Sequence, residues 1–221
     1  MLELLNDIDT QLFLTLHNAI RCQFLDHFMM LFSCKWTWVG LYISIAALII
    51  HNNRNLAGLL TILAVGLAIV VTDQTCADLV RPLVGRLRPS NPDNPLSALV
   101  TIVNNYHGGN YGFPSCHAAN SMAFATFISL IIRQKHFSLF LFTWALINSF
   151  SRVYLGVHYP GDMIVGWIIG GVIALSCYFI LNCTTKRHLA QNIKLAPPIR
   201  GLMIPLSVAA ITLVVIICMS I

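Results

Sequence analysis

One pattern governs this chain: apolar runs of roughly 20 residues, the length a helix needs to cross hydrocarbon, separated by short polar connections. Six runs are read, near Phe28–Ile50, Leu56–Val80, Cys116–Ile132, Phe137–Val157, Met163–Asn182 and Leu202–Met219. Apolar residues make up 57% of the chain and charged ones 10%, too apolar a balance for a soluble core. The expected fold is all-α, a polytopic membrane bundle of six transmembrane helices in one domain over residues 1–221. Residues 1–27 precede the first run as an N-terminal amphipathic segment. There Leu5, Ile8, Leu12, Leu16 and Ile20 recur at helical spacing, with Asn6, Asp9, Thr10 and His17 between them. That pattern fits a helix lying in the membrane interface, or alternatively one packed along the bundle. The opening MLELLNDID is acidic where a secretory signal is basic, so no signal peptide is expected. Trp36 and Trp38 are expected at the membrane–water boundary.

Against this background three separated pieces concentrate ionisable groups: Arg81–Pro89 (RPLVGRLRP), Pro114–His117 (PSCH) and Ser151–Asp162 (SRVYLGVHYPGD). A chain so poor in charge does not gather it without use. Guanidinium forks match phosphate oxygens, and a pair of histidines suits proton and phosphoryl transfer near neutral pH. In the last piece Pro160 and Gly161 break any helix between His158 and Asp162, which predicts a turn. Asp162 then holds one imidazole nitrogen and leaves the other free to attack; the plainer alternative is a histidine and aspartate that merely cap a helix. Ser115 is a natural N-cap for the third run, whose first amides form an anion site, with His117 in the first turn.

Arg81 and Arg88 stand seven apart with Arg86 between them, and Pro82 and Pro89 limit helix there. Any one of these arginines, taken alone, reads as a side chain snorkelling to the headgroups. Asp78 is spaced to pair with Arg81 on one helix face. Asp73, deeper in the second run, is expected to pair with an arginine of this set in a structural role. From the residues alone, which histidine attacks stays open.

Several function classes are excluded. The seven cysteines (22, 34, 76, 116, 177, 183 and 218) show no paired spacing, so neither a disulfide framework nor a metal site is expected. The net charge of +5 is spread over short loops, with no basic run of the nucleic-acid type. The one long polar connection is Ser90–Gly112, in which Leu96–Val103 is apolar enough to dip into the interface.

In combination the three pieces resemble the type-2 phosphatidic acid phosphatase family, the membrane branch of the acid phosphatase and vanadium haloperoxidase superfamily. Its pattern is K-x6-RP, PSGH and SR-x5-H-x3-D. This chain has Arg81-x6-Arg88-Pro89, Pro114-Ser115-Cys116-His117 and Ser151-Arg152-x5-His158-x3-Asp162, in the same order and spacing. The likeness covers a motif-bearing core over residues 56–182. Two positions depart. Arg81 stands for lysine and keeps the charge. Cys116 stands for glycine, which it replaces without strain if only its helical amide is used.

The resemblance implies His158 as the nucleophile forming a phosphohistidine and Asp162 as the residue orienting it. It implies that His117 protonates the leaving oxygen and then activates water. Arg81, Arg88, Arg152 and Ser115 would bind the phosphoryl oxygens, together with the amides near Cys116 and His117. The expected protein is an integral membrane lipid phosphatase with no metal or other cofactor, since the arginines supply the charge stabilisation. Its expected partners are an amphiphilic lipid phosphate and membrane lipids, with no nucleic acid and no obligate protein partner. Candidate substrates are undecaprenyl diphosphate, phosphatidic acid or phosphatidylglycerol phosphate, and a phosphate of lipid A. The alternatives are a lipid phosphotransferase using the same residues and a lipid or phosphate transporter, which would place its charges nearer the midplane.

Orientation follows from the remaining charges. The connections His51–Asn55, Arg133–His136 and Cys183–Gly201 carry Arg54, Arg133, Lys135, Lys186, Arg187, Lys194 and Arg200 and no acidic residue. Cations outside a site favour the cytoplasmic side, so the site is expected to face the periplasm of a bacterial inner membrane.

Overall fold

The computed structural model describes residues 2–53, 56–189 and 199–221; Arg54 and Lys194 of the charge count lie outside them. The described residues are mostly helical, with α1 (Leu2–Ala19), α2 (Gln23–Ser33), α3 (Val39–Asn52), α4 (Leu56–Gln74), α5 (Arg81–Val84), α6 (Cys116–Ile132), α7 (Lys135–Tyr154), α8 (Pro160–Leu189) and α9 (Met203–Ser220). A π turn at Thr75–Val80 joins α4 to α5, so that Leu56–Val84 runs as one 29-residue helix. The run therefore continues past Pro82, where the sequence suggested a stop. The wider π turn accommodates a residue with no N–H to give.

By length and apolarity, Leu56–Val84, Pro160–Arg187 and Met203–Ser220 suffice to cross a membrane. The pair Gln23–Ser33 and Lys35–Asn52 makes a fourth if its 65° bend counts as one broken span. The first expected span is thus not a single rod. The bend is held by side chains: Thr37 Oγ1 donates to Leu31 O at 2.8 Å and Trp38 Nε1 to Phe32 O at 2.8 Å, satisfying carbonyls that end α2. Trp38 is consequently not interfacial. It is 2% exposed, edge-on to Phe32 and Trp144 at 4.8 and 5.7 Å between ring centroids, whereas Trp36 is 73% exposed. An aromatic ring packed on two others in the core is worth more than one left at the surface.

α6 lies at the centre, packed on α4, α7 and α8. It is short, 17 residues or roughly 25 Å, and buries Ala118, Ala119, Ala123, Ala125 and Phe127 completely. Small residues set its distance from α8. A Cβ at Gly166 would fall 2.7 Å from Ser115 O, and one at Gly170 would run into the Ala119 backbone. The two glycines, one helical turn apart, let α8 lie directly on the first turns of α6. The start of α8 is thereby pinned beside the start of α6, where the PSCH and HYPGD pieces sit.

α1 turns Leu4, Leu5, Ile8 and Leu12 outward and buries Phe13 and His17. Phe13 stacks on His17 at 5.1 Å and meets Tyr159 edge-on at 5.4 Å. The helix therefore lies along the α7–α8 corner of the bundle. In the 85–115 connection, Gly112 N donates to Arg86 O at 2.8 Å and Arg88 N to Asn110 O at 3.2 Å, closing a two-stranded neck. Val100 and Val103 of this connection are 8% and 6% exposed. They pack against Phe13 and against Tyr154 and Leu155, while Leu99 beside Val100 stays 61% exposed.

Candidate active site

The three pieces converge at one end of the bundle. α7 ends in a tight turn: Leu155 N donates to Ser151 O, Gly156 N to Val153 O, and Val157 N to Arg152 O. Gly156 takes φ +77, a conformation an L side chain resists, in a spot where a Cβ would strike Val100. This turn delivers His158, 1% exposed, and α8 begins two residues later with Asp162 fully buried. Pro160 and Gly161 do not form the separate turn expected between them: they open α8, whose first turn carries Asp162, because a proline is tolerated at the first helical position, where no N–H is needed.

His158 Nδ1 lies 3.2 Å from Asp162 Oδ2, which also accepts the Tyr159 amide at 2.9 Å. His158 Nε2 lies 3.0 Å from Arg88 Nη1. A guanidinium only donates, so Nε2 accepts and the ring proton sits on Nδ1, facing the carboxylate. Burial, and then the charges of Arg88, Arg152 and Arg81, hold the His158 pKa well below the ordinary histidine value. The imidazole is therefore neutral at physiological pH. Arg88 is fixed by Tyr111 O and Val157 O, both at 3.1 Å. Its pKa is lowered to about 10 by burial and by Arg81 and Arg152, so it too keeps its charge at neutral pH.

Arg81 and Arg152 complete a cationic cradle. Arg81 Nη2 donates to Pro114 O at 3.2 Å and to Cys116 Sγ at 2.8 Å. Arg152 Nη2 donates to Tyr106 Oη at 2.6 Å, with the guanidinium over the Tyr106 ring at 5.1 Å. The Nε groups of both arginines are buried without a hydrogen-bond partner among the described residues. Unsatisfied buried donors of this kind ask for an anion. Ser115 caps α6 as expected, its Oγ accepting the Ala118 amide at 3.4 Å. Cys116 is the first residue of α6 and is not among the positive-φ residues, so a glycine is not required there.

His117 stands in the same first turn and opens on a cavity of about 640 Å³ whose lining includes His117 but not His158. All eight residues singled out by the sequence are thus placed around one end of α6. Two expected pairings are not formed. Asp78 is exposed while Arg81 turns to Pro114 and Cys116. Asp73 bonds Asn120 Nδ2 at 2.7 Å instead of an arginine, because α4 faces α6 at that height.

Other residues join the site that the sequence left out. Arg86 Nη1 donates to Asp162 Oδ1 at 3.0 Å and to Asp9 Oδ2 at 2.7 Å, its Nη2 reaches Asn6 Oδ1 at 3.0 Å, and its guanidinium lies 3.7 Å over the Tyr159 ring. Asp9 Oδ1 also accepts the Gly161 amide at 2.7 Å. Arg86 is in the first motif piece, but only the fold shows that it bonds Asp162 and does not join the cradle. Nothing in the sequence links Asp9 or Tyr106 to the site; their partners are 77 and 46 residues away.

A family profile described as the PAP2 superfamily matches residues 55–187. A lipid A 4'-phosphatase of Bacteroides thetaiotaomicron is 48% identical over 187 residues, 85% of this chain and 83% of that one. A second lipid A 4'-phosphatase, from Porphyromonas gingivalis, is 30% identical over 86% of this chain and 80% of its own. Among solved structures, a PAP2-type phosphatidylglycerolphosphate phosphatase from Bacillus subtilis shares the fold with a TM-score of 0.60 at 20% identity, covering 83% of this chain and 87% of that chain. The chain belongs to the PAP2 superfamily.

Proposed function

We propose that this protein is an integral membrane lipid phosphatase that removes a phosphate from lipid A through a phosphohistidine on His158. The observation that carries the reading is the pairing at His158: a neutral imidazole held by Asp162 on one side and facing a three-arginine cradle on the other. A phosphate seated on Arg81, Arg88 and Arg152 meets Nε2. That lone pair forms the P–N bond as the P–O bond to the lipid breaks, and Asp162 stabilises the imidazolium. His117, on the cavity side, gives its proton to the departing oxygen. It then takes one from water, whose oxygen displaces His158 and releases phosphate. The guanidiniums and the α6 amides stabilise the pentavalent phosphorus throughout.

Lipid A is preferred among the candidate lipids because two similar relatives carry that activity over most of their length. An apolar cleft of about 330 Å³, lined by Tyr42, Ile45, Ile49, Ile62 and Phe124, shares Tyr42, Val65, Gly66 and Phe124 with the cavity at His117 and suits acyl chains. Six crossings are proposed: the bent α2–α3 pair, α4–α5, α6, α7, α8 and α9. In that arrangement α6 is short because it lies inside the bundle, where few of its residues meet lipid. The site faces away from the cytoplasm, opposite Arg133, Lys135, Lys186, Arg187 and Arg200. The reading is tested by phosphate release from purified protein, without acceptor alcohol, on lipid A, phosphatidylglycerol phosphate and undecaprenyl diphosphate. Free phosphate, fastest from lipid A, is expected; no release from any of them overturns the proposal, and release only with an added alcohol marks a phosphotransferase.

A further inference from the structure

One charged group beside His117 takes no part in these steps. Asp73 is the only charged residue of α4, and its Oδ1 accepts Asn120 Nδ2 at 2.7 Å. Both residues line the cavity with His117, among apolar neighbours such as Val65, Ile69 and Phe124. Asn120 Oδ1 is buried with no hydrogen-bond partner among the described residues. A carboxylate in apolar surroundings is costly unless it is used, and within membrane helices such a group marks a site by default. Carboxylate and amide oxygens are acceptors. This part of the cavity therefore offers acceptors to whatever enters it.

Position says what that is. His117 hands its proton to the leaving oxygen, so the leaving group departs on the His117 side, and the cavity is on that side. Asn120 stands three residues after His117, one turn along the same face of α6, and Asp73 faces it from α4. We infer that Asp73 and Asn120 form a subsite for the leaving group, one that takes a neutral headgroup bearing O–H or N–H donors, such as an acylated amino sugar, over an anionic one. The inference rests on the assignment of His117 as the acid. A hydroxyl or amide N–H gains a charge-assisted bond to Asp73. A diphosphate ester instead leaves as a lipid monophosphate, whose charge meets the carboxylate across a poorly screened gap. Lys35 also borders the cavity but is exposed and lies 5.4 Å from its neighbour Trp36, so its charge is screened at the rim.

The test compares wild type with Asp73→Asn, which keeps the volume and the bond to residue 120, on three substrates: lipid A bearing its 4'-phosphate, undecaprenyl diphosphate and p-nitrophenyl phosphate. The expected result is a roughly ten- to hundredfold fall in kcat/KM on lipid A. Turnover of p-nitrophenyl phosphate, whose leaving group carries no donor, stays within about twofold, and undecaprenyl diphosphate is used as well as before or better. Asn120→Ala reads the same contrast should Asp73→Asn not fold. An equal fall on all three substrates, or no fall on lipid A, overturns the inference. Wild type that releases phosphate from p-nitrophenyl phosphate but from neither lipid overturns instead the lipid-phosphatase reading beneath it.

Discussion

As the proposed nucleophile, His158 carries two opposed requirements, since it must be neutral to attack and yet become a cation once phosphorylated. Burial and three guanidiniums secure the first, and Asp162, 3.2 Å from Nδ1, supports the second. The lowered pKa keeps the neutral form populated as pH falls. The acid limb of kcat/KM, which reports the free enzyme, is therefore expected below the ordinary histidine value of about 6.5. Arg88→Gln removes the nearest charge, raises that pKa and moves the limb to higher pH even as binding weakens. A limb at or above the ordinary value, or one indifferent to Arg88, contradicts this account of the charge environment. The same residues show what a sequence discloses at this scale. His158, Asp162, Ser115 and His117 are legible because each pair is local, set by a turn or a helix start. Asp9 and Tyr106 are not, because a contact across 77 or 46 residues leaves no spacing to read.

Among the elements, α1 has the least expected part. Its Asp9 ties together Arg86 and the first turn of α8, so the helix braces the carboxylate that meets His158 Nδ1. Asp9→Ala should lower kcat about tenfold, the worth of one charge-assisted hydrogen bond, with a smaller change in KM and partial recovery in Asp9→Glu. A change confined to KM would assign α1 to substrate binding instead. The α6–α8 crossing makes a second demand. Gly170→Leu forces the helices apart and should cost about 1–3 kcal/mol, seen as a lower Tm in detergent; an unchanged Tm would mean the crossing has slack. The apolar period foretold these helices well because membrane length leaves few options. It could not foretell the bend at Cys34, fixed by Thr37 and Trp38 reaching back to α2, nor the π turn before Arg81, which has no period of its own.

For the whole molecule, the site lies at one end of the bundle and Arg133, Lys135, Lys186, Arg187 and Arg200 at the other, where the Asn52 side chain donates to Arg200 O at 3.0 Å and accepts Arg200 N at 3.1 Å. An impermeant maleimide applied to whole cells should label a single cysteine at the exposed Asp93 but not one at the exposed His136; the reverse pattern would invert the topology. Chelation by EDTA should leave turnover intact, since the cradle is built of arginines, and vanadate should inhibit as a mimic of pentavalent phosphorus. Activity lost in EDTA and restored by magnesium would count against the mechanism. The decisive measurement is of the covalent intermediate, by quenching the protein in the presence of 32P-labelled p-nitrophenyl phosphate. The wild type should trap an acid-labile, base-stable label on His158, and His117→Ala should trap it more persistently because water is no longer activated. His158→Ala should trap none and release no phosphate. Label retained in His158→Ala, or turnover near that of wild type, would place the nucleophile elsewhere.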